Sequence, residues 1–279
     1  MSTKHNALTE EDIQRFSMSP QLLDHIREHT RQLDRTAPPH ILDWGCGRGR
    51  SVALLRQEGF EAFGVDIDRA VLRNGHDLFR TRGLDPERLL RHISDIGTFG
   101  DGELDIIFSE ETIEHVANLE VVARESYRLL RPGGLVAHSF PGKRQLVEPH
   151  LRMPLVHWLP RGAMRLAWLH ACLFLGAGPR PPWPEVVDGD GKLLPRSGQA
   201  AAYARYLEDK VHYRSIDTIA SIFRRAGFQV HHRNLSPPPA WTCLLPPAWR
   251  RDGFPAGNVL LLLRKPDIIP PCASTGSTS

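Results

Sequence analysis

The chain has 279 residues, with 35 lysines and arginines against 32 aspartates and glutamates, a net charge of +3. That length buries a full hydrophobic core, and so even a balance excludes a uniformly basic nucleic-acid binder. Met1 to Glu10 lacks the apolar core of a signal peptide, and Cys46, Cys172, Cys243 and Cys272 form no C-x-x-C pair, so the expectation is a cytoplasmic, reduced protein without structural zinc.

In chain order, Met1 to Glu10 reads as a frayed end. Leu22, Leu23, Ile26 and Leu33 then recur at roughly helical spacing between Pro20 and Arg35, which predicts a helix beside a sheet or over a ligand; Pro38 and Pro39 stop it. His40 to Arg50, His-Ile-Leu-Asp-Trp-Gly-Cys-Gly-Arg-Gly-Arg, is the most informative stretch. A short strand ends in Asp43, and Gly45, Gly47 and Gly49 lack the Cβ that keeps a backbone away from a ligand. The spacing G-x-G-x-G differs from the G-x-G-x-x-G of dinucleotide binders. Ser51 to Glu58 reads as a helix, and Glu61 to Asp68 as a second strand with an acid, Asp66, that can accept from both hydroxyls of a ribose. Strands are expected at Leu89 to Asp95, Leu104 to Ser109 and within Arg128 to Phe140, and their alternation with helices predicts an α/β fold on a parallel sheet.

Residues 141–210 replace what a short connection would supply, so they read as a mostly helical insertion and substrate lid. From Arg161 to about Leu175 a helix is expected, apolar on every face but His170 between Leu166 and Leu175. Such a helix is either buried or in contact with lipid, and it is too short to span a bilayer. Lys143, Arg144, Arg152, Arg161, Arg165 and Arg180 flank it, with Glu148 the only acid between Lys143 and Arg180, so contact of residues 151–178 with an anionic membrane surface stands beside a lid packed on the core. Asp188-Gly-Asp-Gly-Lys192 starts like a calcium loop, but Lys192 stands where a ligand is needed, and a surface turn is expected. Ser215 caps a helix to Arg225, Ala226-Gly227-Phe228 ends it, and Val259 to Leu263 is an apolar strand. Trp241 and Trp249, in and after the Pro237 to Pro247 loop, are expected over the site, and residues 266–279 form a disordered tail.

Five motifs in order carry a resemblance: Leu-Asp-Trp-Gly-Cys-Gly-Arg-Gly at 42–49, Gly-Val-Asp-Ile-Asp at 64–68, Asp95-Ile96, Ser-Glu-Glu-Thr-Ile-Glu-His-Val at 109–116 and Leu-Leu-Arg-Pro-Gly-Gly at 129–134. Together they resemble the class I S-adenosylmethionine-dependent methyltransferases, in the branch that methylates quinones and other small molecules. The resemblance covers roughly residues 38–140 and 212–265. It implies a Rossmann-like seven-stranded sheet with helices on both faces and an antiparallel last strand, a core of residues 1–140 and 211–265, and S-adenosyl-L-methionine as cofactor. Asp43 with Gly45, Cys46, Gly47 and Gly49 then shapes the loop around the methionine part, Asp66 and Ile67 hold the ribose side, Asp95 and Ile96 line the adenine, and Ser109 and Glu110 lie near the methionine moiety. Cys46 itself reads as a small packing residue, not a nucleophile.

A phenol or enol acceptor needs a base with pKa near the working pH. His115, after the fourth strand, is the first candidate, since such strand ends face the ligand crevice; its other reading is a surface partner of Glu111. His150 and His157 are the further candidates. No metal site is expected, because Glu148, His150 and His157 fit no ligand spacing. The function expected is methyl transfer to oxygen or carbon of a small-molecule or lipid-like acceptor, at the cytoplasm or the inner membrane face. A non-catalytic binding protein on the same fold and a nicotinamide-dependent oxidoreductase are the rivals. Nucleic acid is not an expected partner, since Glu110, Glu111 and Glu114 would repel phosphates.

Overall fold

The computed structural model describes residues 7–33, 36–180 and 183–267. Its centre is a seven-stranded sheet made of β1 (His40–Trp44), β2 (Glu61–Asp66), β3 (Leu90–His92), β4 (Leu104–Glu110), β5 (Leu130–Pro141), β8 (Gln229–Asn234) and β9 (Asn258–Arg264), in the order β3-β2-β1-β4-β5-β9-β8. The five strands from β3 to β5 are parallel; β9 runs antiparallel between β5 and β8. The expected α/β sheet with an antiparallel last strand is therefore present. β1 and β4 are buried along nearly their whole length, as strands covered on both faces must be, and so they read as continuous apolar runs.

Helices α1 (Glu10–Arg15), α2 (Pro20–Arg31), α3 (Arg50–Gln57), α4 (Arg69–Thr81), α5 (Pro86–Leu89), α6 (Leu119–Leu129) and α9 (Ile216–Arg225) surround the sheet. The predicted cap of α9 is present, with Thr218 N donating to Ser215 Oγ at 3.2 Å. Two local expectations are corrected. Thr9 and Asp12 close a capping box that starts α1 at Glu10, and Leu8 is buried, so the first turn after residue 7 is ordered by its cap. β3 stops at His92 instead of running to Asp95, because Ser94 N donates to His92 Nδ1 and starts a 3₁₀ turn over Ile93–Thr98. The tail expected after Pro266 lies, from residue 268, outside the described residues.

The insertion builds a second hydrophobic cluster of its own. Its hairpin β6 (Val147–Glu148) and β7 (Met153–Pro154) is followed by α7 (Ala163–Phe174) and α8 (Arg196–Asp209). Leu151, Met153, Leu169, Cys172, Tyr203 and Leu207 are buried together between them. Two bonds fasten this lobe beside the end of β4: His212 N to Glu114 O at 2.7 Å and Arg214 Nη2 to Ala117 O at 2.6 Å. Asp252, just after α10 (Pro247–Arg251), accepts from Ile216 N at 2.9 Å and pairs with Arg144 at 3.3 Å, tying the start of the insertion to α9. Trp241 and Trp249 do not cover a ligand site as expected. Both pack on Phe254, and Trp158 from the insertion meets Trp249 edge-on, so the rings form one aromatic cluster with Trp241 still half exposed.

Candidate cofactor and acceptor site

The glycine loop between β1 and α3 owes its shape to three residues in the left-handed region: Gly45 at φ +92°, Gly47 at +55° and Gly49 at +82°. A Cβ on Gly45 would stand 2.3 Å from Thr112 Cγ2, so no other residue fits there. Gly45 N and Cys46 N both donate to Val65 O, and Gly47 N donates to Asp66 Oδ2 at 2.8 Å, which fixes the loop to the end of β2. Asp66 Oδ1 accepts from Asp68 N at 2.8 Å. Each Asp66 oxygen keeps a second lone pair for a ligand hydroxyl. Cys46 sits against Gly64, where a Cβ would meet its Sγ at 2.5 Å; its side chain packs, as expected, and its backbone shapes the loop.

Two cavities meet at Gly45 and Glu111. The larger, about 630 Å³, is lined by Trp44, Asp66, Ile67, Ile93, Thr112 and His115, among others. The smaller, about 350 Å³, is lined by Phe16, Ser17, Asp43, Arg50, Ser51 and Glu110 with neighbours of the loop. Both volumes fall in the range of about 300–1,000 Å³ usual for small-molecule sites. Glu111, shared by the two, holds φ at +51°, a costly conformation for a non-glycine residue and one that recurs at functional sites.

Charge in the smaller cavity is arranged for a zwitterion. Asp43 is 5% exposed and accepts from Ser51 Oγ. Burial pushes its pKa up to about 7, against the Ser51 bond and with the help of the Glu110 and Asp66 charges. Desolvation likewise raises Glu110, although Ser19 N donates to its Oε1 at 2.9 Å. Opposite the acids, Arg50 opens α3, whose N-cap Gly49 supplies no side-chain cap, so the helix start offers unpaired N–H groups to an anion. The Arg50 guanidinium also lies 4.8 Å over the Phe16 ring, so the segment before α2 closes this cavity.

The remaining predicted residues divide. Ser109 is fully buried and bonded to His138 Nδ1 at 2.8 Å, because it points to the face of β4 opposite Phe108 and Glu110; it leaves the site. Asp95 is exposed and Ile96 packs toward the core, so neither lines these cavities, and Ile93 takes the apolar role at that edge. His115 lines the larger cavity, with Nδ1 bonded to Lys210 O at 2.7 Å. Desolvation lowers its pKa, opposed by that bond. His150 meets it edge-on at 5.0 Å between ring centroids, while His157 lines a different cavity of about 330 Å³ with Arg161, Arg165 and Arg214. Phe16, Ser17 and Ile93 carried no motif; Arg50 closed the glycine stretch without a role and opens α3 one residue before its expected start.

The profile of the family described as "Methyltransferase domain" matches residues 18–233. The chain belongs to this methyltransferase family. Among curated relatives, the methyltransferase GfsG of Streptomyces halstedii is 34% identical over 109 residues, 38% of this chain and 39% of that protein. A ubiquinone biosynthesis O-methyltransferase of Methylococcus capsulatus is 28% identical over 123 residues, 44% and 50% of the two chains. The chain thus spans half or less of these relatives' length. A putative sarcosine dimethylglycine methyltransferase of Galdieria sulphuraria shares the fold, with a TM-score of 0.52 at 14% identity over 94% of this chain and 93% of that one. S-adenosylmethionine is the methyltransferase family's cofactor, and the residues present fit it: Asp66 for ribose, Ile67 and Ile93 as apolar walls for adenine, and the acids and Arg50 of the smaller cavity for an amino-acid zwitterion.

Proposed function

We propose that this methyltransferase carries a methyl group to oxygen or carbon of a small, largely apolar acceptor of the quinol type. The observation that carries it is the pair of cavities joined at Gly45, one with a ribose-binding acid and apolar walls, the other with paired acids and an arginine. When bound, S-adenosylmethionine supplies an electrophilic methyl group on a positively charged sulfur. The chain's own residues then do two things. Asp43, Glu110, Arg50 and Asp66 fix the donor's orientation, and holding two reactants in line supplies roughly 7–11 kcal/mol. His115 meets the acceptor's proton: its Nδ1 is committed to the Lys210 carbonyl, which leaves the Nε2 lone pair to take a proton from a phenol or enol.

The quinone-directed names among the relatives, the ubiquinone enzyme and a demethylmenaquinone methyltransferase of Tropheryma whipplei at 25% identity over 205 residues, favour an acceptor of that chemistry. So does the insertion. Arg165, Leu169 and Cys172 form the packed side of α7, while Met164, Trp168, Phe174 and Leu175 stand 60%, 37%, 71% and 80% exposed on the other. This apolar stripe, with Lys143, Arg152, Arg161 and Arg180 exposed elsewhere on the same insertion, suits a lid that rests on an anionic membrane surface where lipid-like acceptors dissolve. Two of the six basic residues named from sequence serve elsewhere: Arg165 is buried on Leu159 O and Arg144 pairs with Asp252. No helix among the described residues is long and apolar enough to cross a membrane.

Calorimetric titration with S-adenosylmethionine, S-adenosylhomocysteine and NADH, on the protein and on Asp66→Ala, tests the reading, followed by a quinol acceptor screen. Binding of the first two ligands, weakened about 10- to 100-fold in the variant by loss of a charged hydrogen-bond partner, is expected. Binding of NADH alone would overturn it.

A further inference from the structure

Beside the larger cavity three side chains with metal-ligand atoms come together. Glu114, on the 3₁₀ turn Ile113–His115 after β4, is 3% exposed, and neither of its carboxylate oxygens has a hydrogen-bond partner among the described residues. His115 follows it, and His150 arrives from the insertion. One potential ligand atom from each of the three lies within 4.8 Å of the other two.

Both imidazoles are held from behind. A carbonyl only accepts, so the 2.7 Å contact of His115 Nδ1 with Lys210 O places the ring proton on Nδ1 and the lone pair on Nε2. His150 Nδ1 lies 2.7 Å from Glu148 Oε1, and Glu148, fully buried, also accepts from the Tyr213 hydroxyl and from Leu151 N, each at 2.5 Å. A buried carboxylate behind an imidazole is the arrangement that orients metal-bound histidines and raises their basicity. A carboxylate with both oxygens unsatisfied costs several kcal/mol when buried, unless a proton or a cation joins it. Two imidazoles and one carboxylate with further positions open make a donor set for zinc or ferrous iron.

We propose that Glu114, His115 and His150 bind one divalent transition-metal ion at the edge of the larger cavity. The Glu148, His150 and His157 grouping is a different matter: Glu148 backs His150, and His157 lines another cavity. The role of the ion rests on the methyl-transfer reading and deepens it. A hydroxyl of the acceptor that reaches the ion is made more acidic, so its proton leaves to water and its oxygen stays negative. That oxygen then takes the methyl group as the methyl–sulfur bond breaks and the pair of electrons returns to sulfur. His115 Nε2 is then a ligand in place of the base, and the ion, by acidifying the hydroxyl, does the work of proton removal.

The test uses the full chain stripped with a chelator. Zn²⁺ affinity is read by competition with a chromophoric chelator and Co²⁺ binding by visible absorption, for the protein and for Glu114→Gln, His150→Ala and the milder Glu148→Gln. S-adenosylmethionine binding and thermal melting are followed in parallel. Expected are one ion per chain, a loss of at least about tenfold in the two ligand variants, a loss of about 10- to 100-fold in Glu148→Gln, and unchanged S-adenosylmethionine binding in all. Absence of saturable Zn²⁺ binding, or equal affinity in the folded variants, overturns the metal site. If the metal binds and S-adenosylmethionine does not, the cofactor reading fails while the metal site stands.

Discussion

Asp43 concentrates the chemistry of the cofactor loop in one carboxyl. Ser51 from α3, Glu110 from β4 and Asp66 from β2 are the polar groups that set its charge, and burial leaves its pKa at about 7. The cofactor brings an ammonium and a sulfonium, which favour the ionised acid, so binding at pH 6 releases a proton and tightens as pH rises through 7. Titration calorimetry in two buffers of different ionisation enthalpy measures that proton. Asp43→Asn is expected to bind S-adenosylmethionine about 10- to 100-fold more weakly, by loss of a charged partner, and to release fewer protons. Gly45→Ala places a methyl group on Thr112 at φ +92°, and a melting temperature lowered together with lost cofactor binding is its expected result.

At the scale of elements, α7 separates two roles on one helix. Its inward residues, with Leu169 fully buried, belong to the core of the insertion, so removing the helix would unfold the lobe and prove little. Exchanging only the outward residues leaves that core intact. Phe174→Ser with Leu175→Ser is expected to keep the parent melting temperature within a few degrees and to lose flotation with anionic liposomes; equal flotation of the two proteins sinks the membrane reading. The element boundaries show how far local signals reach. Ser215 and Gly49 mark helix starts within a few residues of sequence, and α9 begins where Ser215 said it would, whereas Thr9 caps α1 inside a stretch that read as frayed. β3 fell short because one hydrogen bond between Ser94 and His92 outweighs the strand propensity of three residues with no partner strand on the outer side.

For the whole molecule, two buried groups bend stability with pH in opposite directions. His138 is fully buried, bonded to Ser109 and packed on Phe223, and burial lowers its pKa to about 3 from 6.5. Its folded form binds no proton where the unfolded chain does, so the stability present above pH 6.5 is lost on acidification by up to about 1.4 kcal/mol per unit. Asp43 acts in the other sense, since a raised carboxyl pKa favours the fold below the unfolded value of 3.8 and loses that favour as pH climbs through 7. Between about pH 4 and 6.5 the two slopes oppose each other, so urea unfolding is expected to show a nearly flat stability there. In His138→Gln stability should fall as pH rises from 4 to 7, and in Asp43→Asn it should rise from pH 4 to 6.5.

The sequence by itself determined the sheet, the glycine loop and the acid of β2, because each rests on neighbours in the chain: continuous apolar strand runs, a left-handed turn at Gly45, a carboxylate at a strand end. Only tertiary structure decided which side chains share a space. Ser109 and Glu110 are adjacent, yet strand alternation sends one into the core beside His138 and the other to the cavity with Ser19. Phe16 and Arg50 meet because α1 and α2 fold across the loop, and Glu114 and His150 because the insertion returns beside β4. Contacts of that kind depend on where distant segments pack, a global balance of burial and loop entropy that no local pattern of residues encodes.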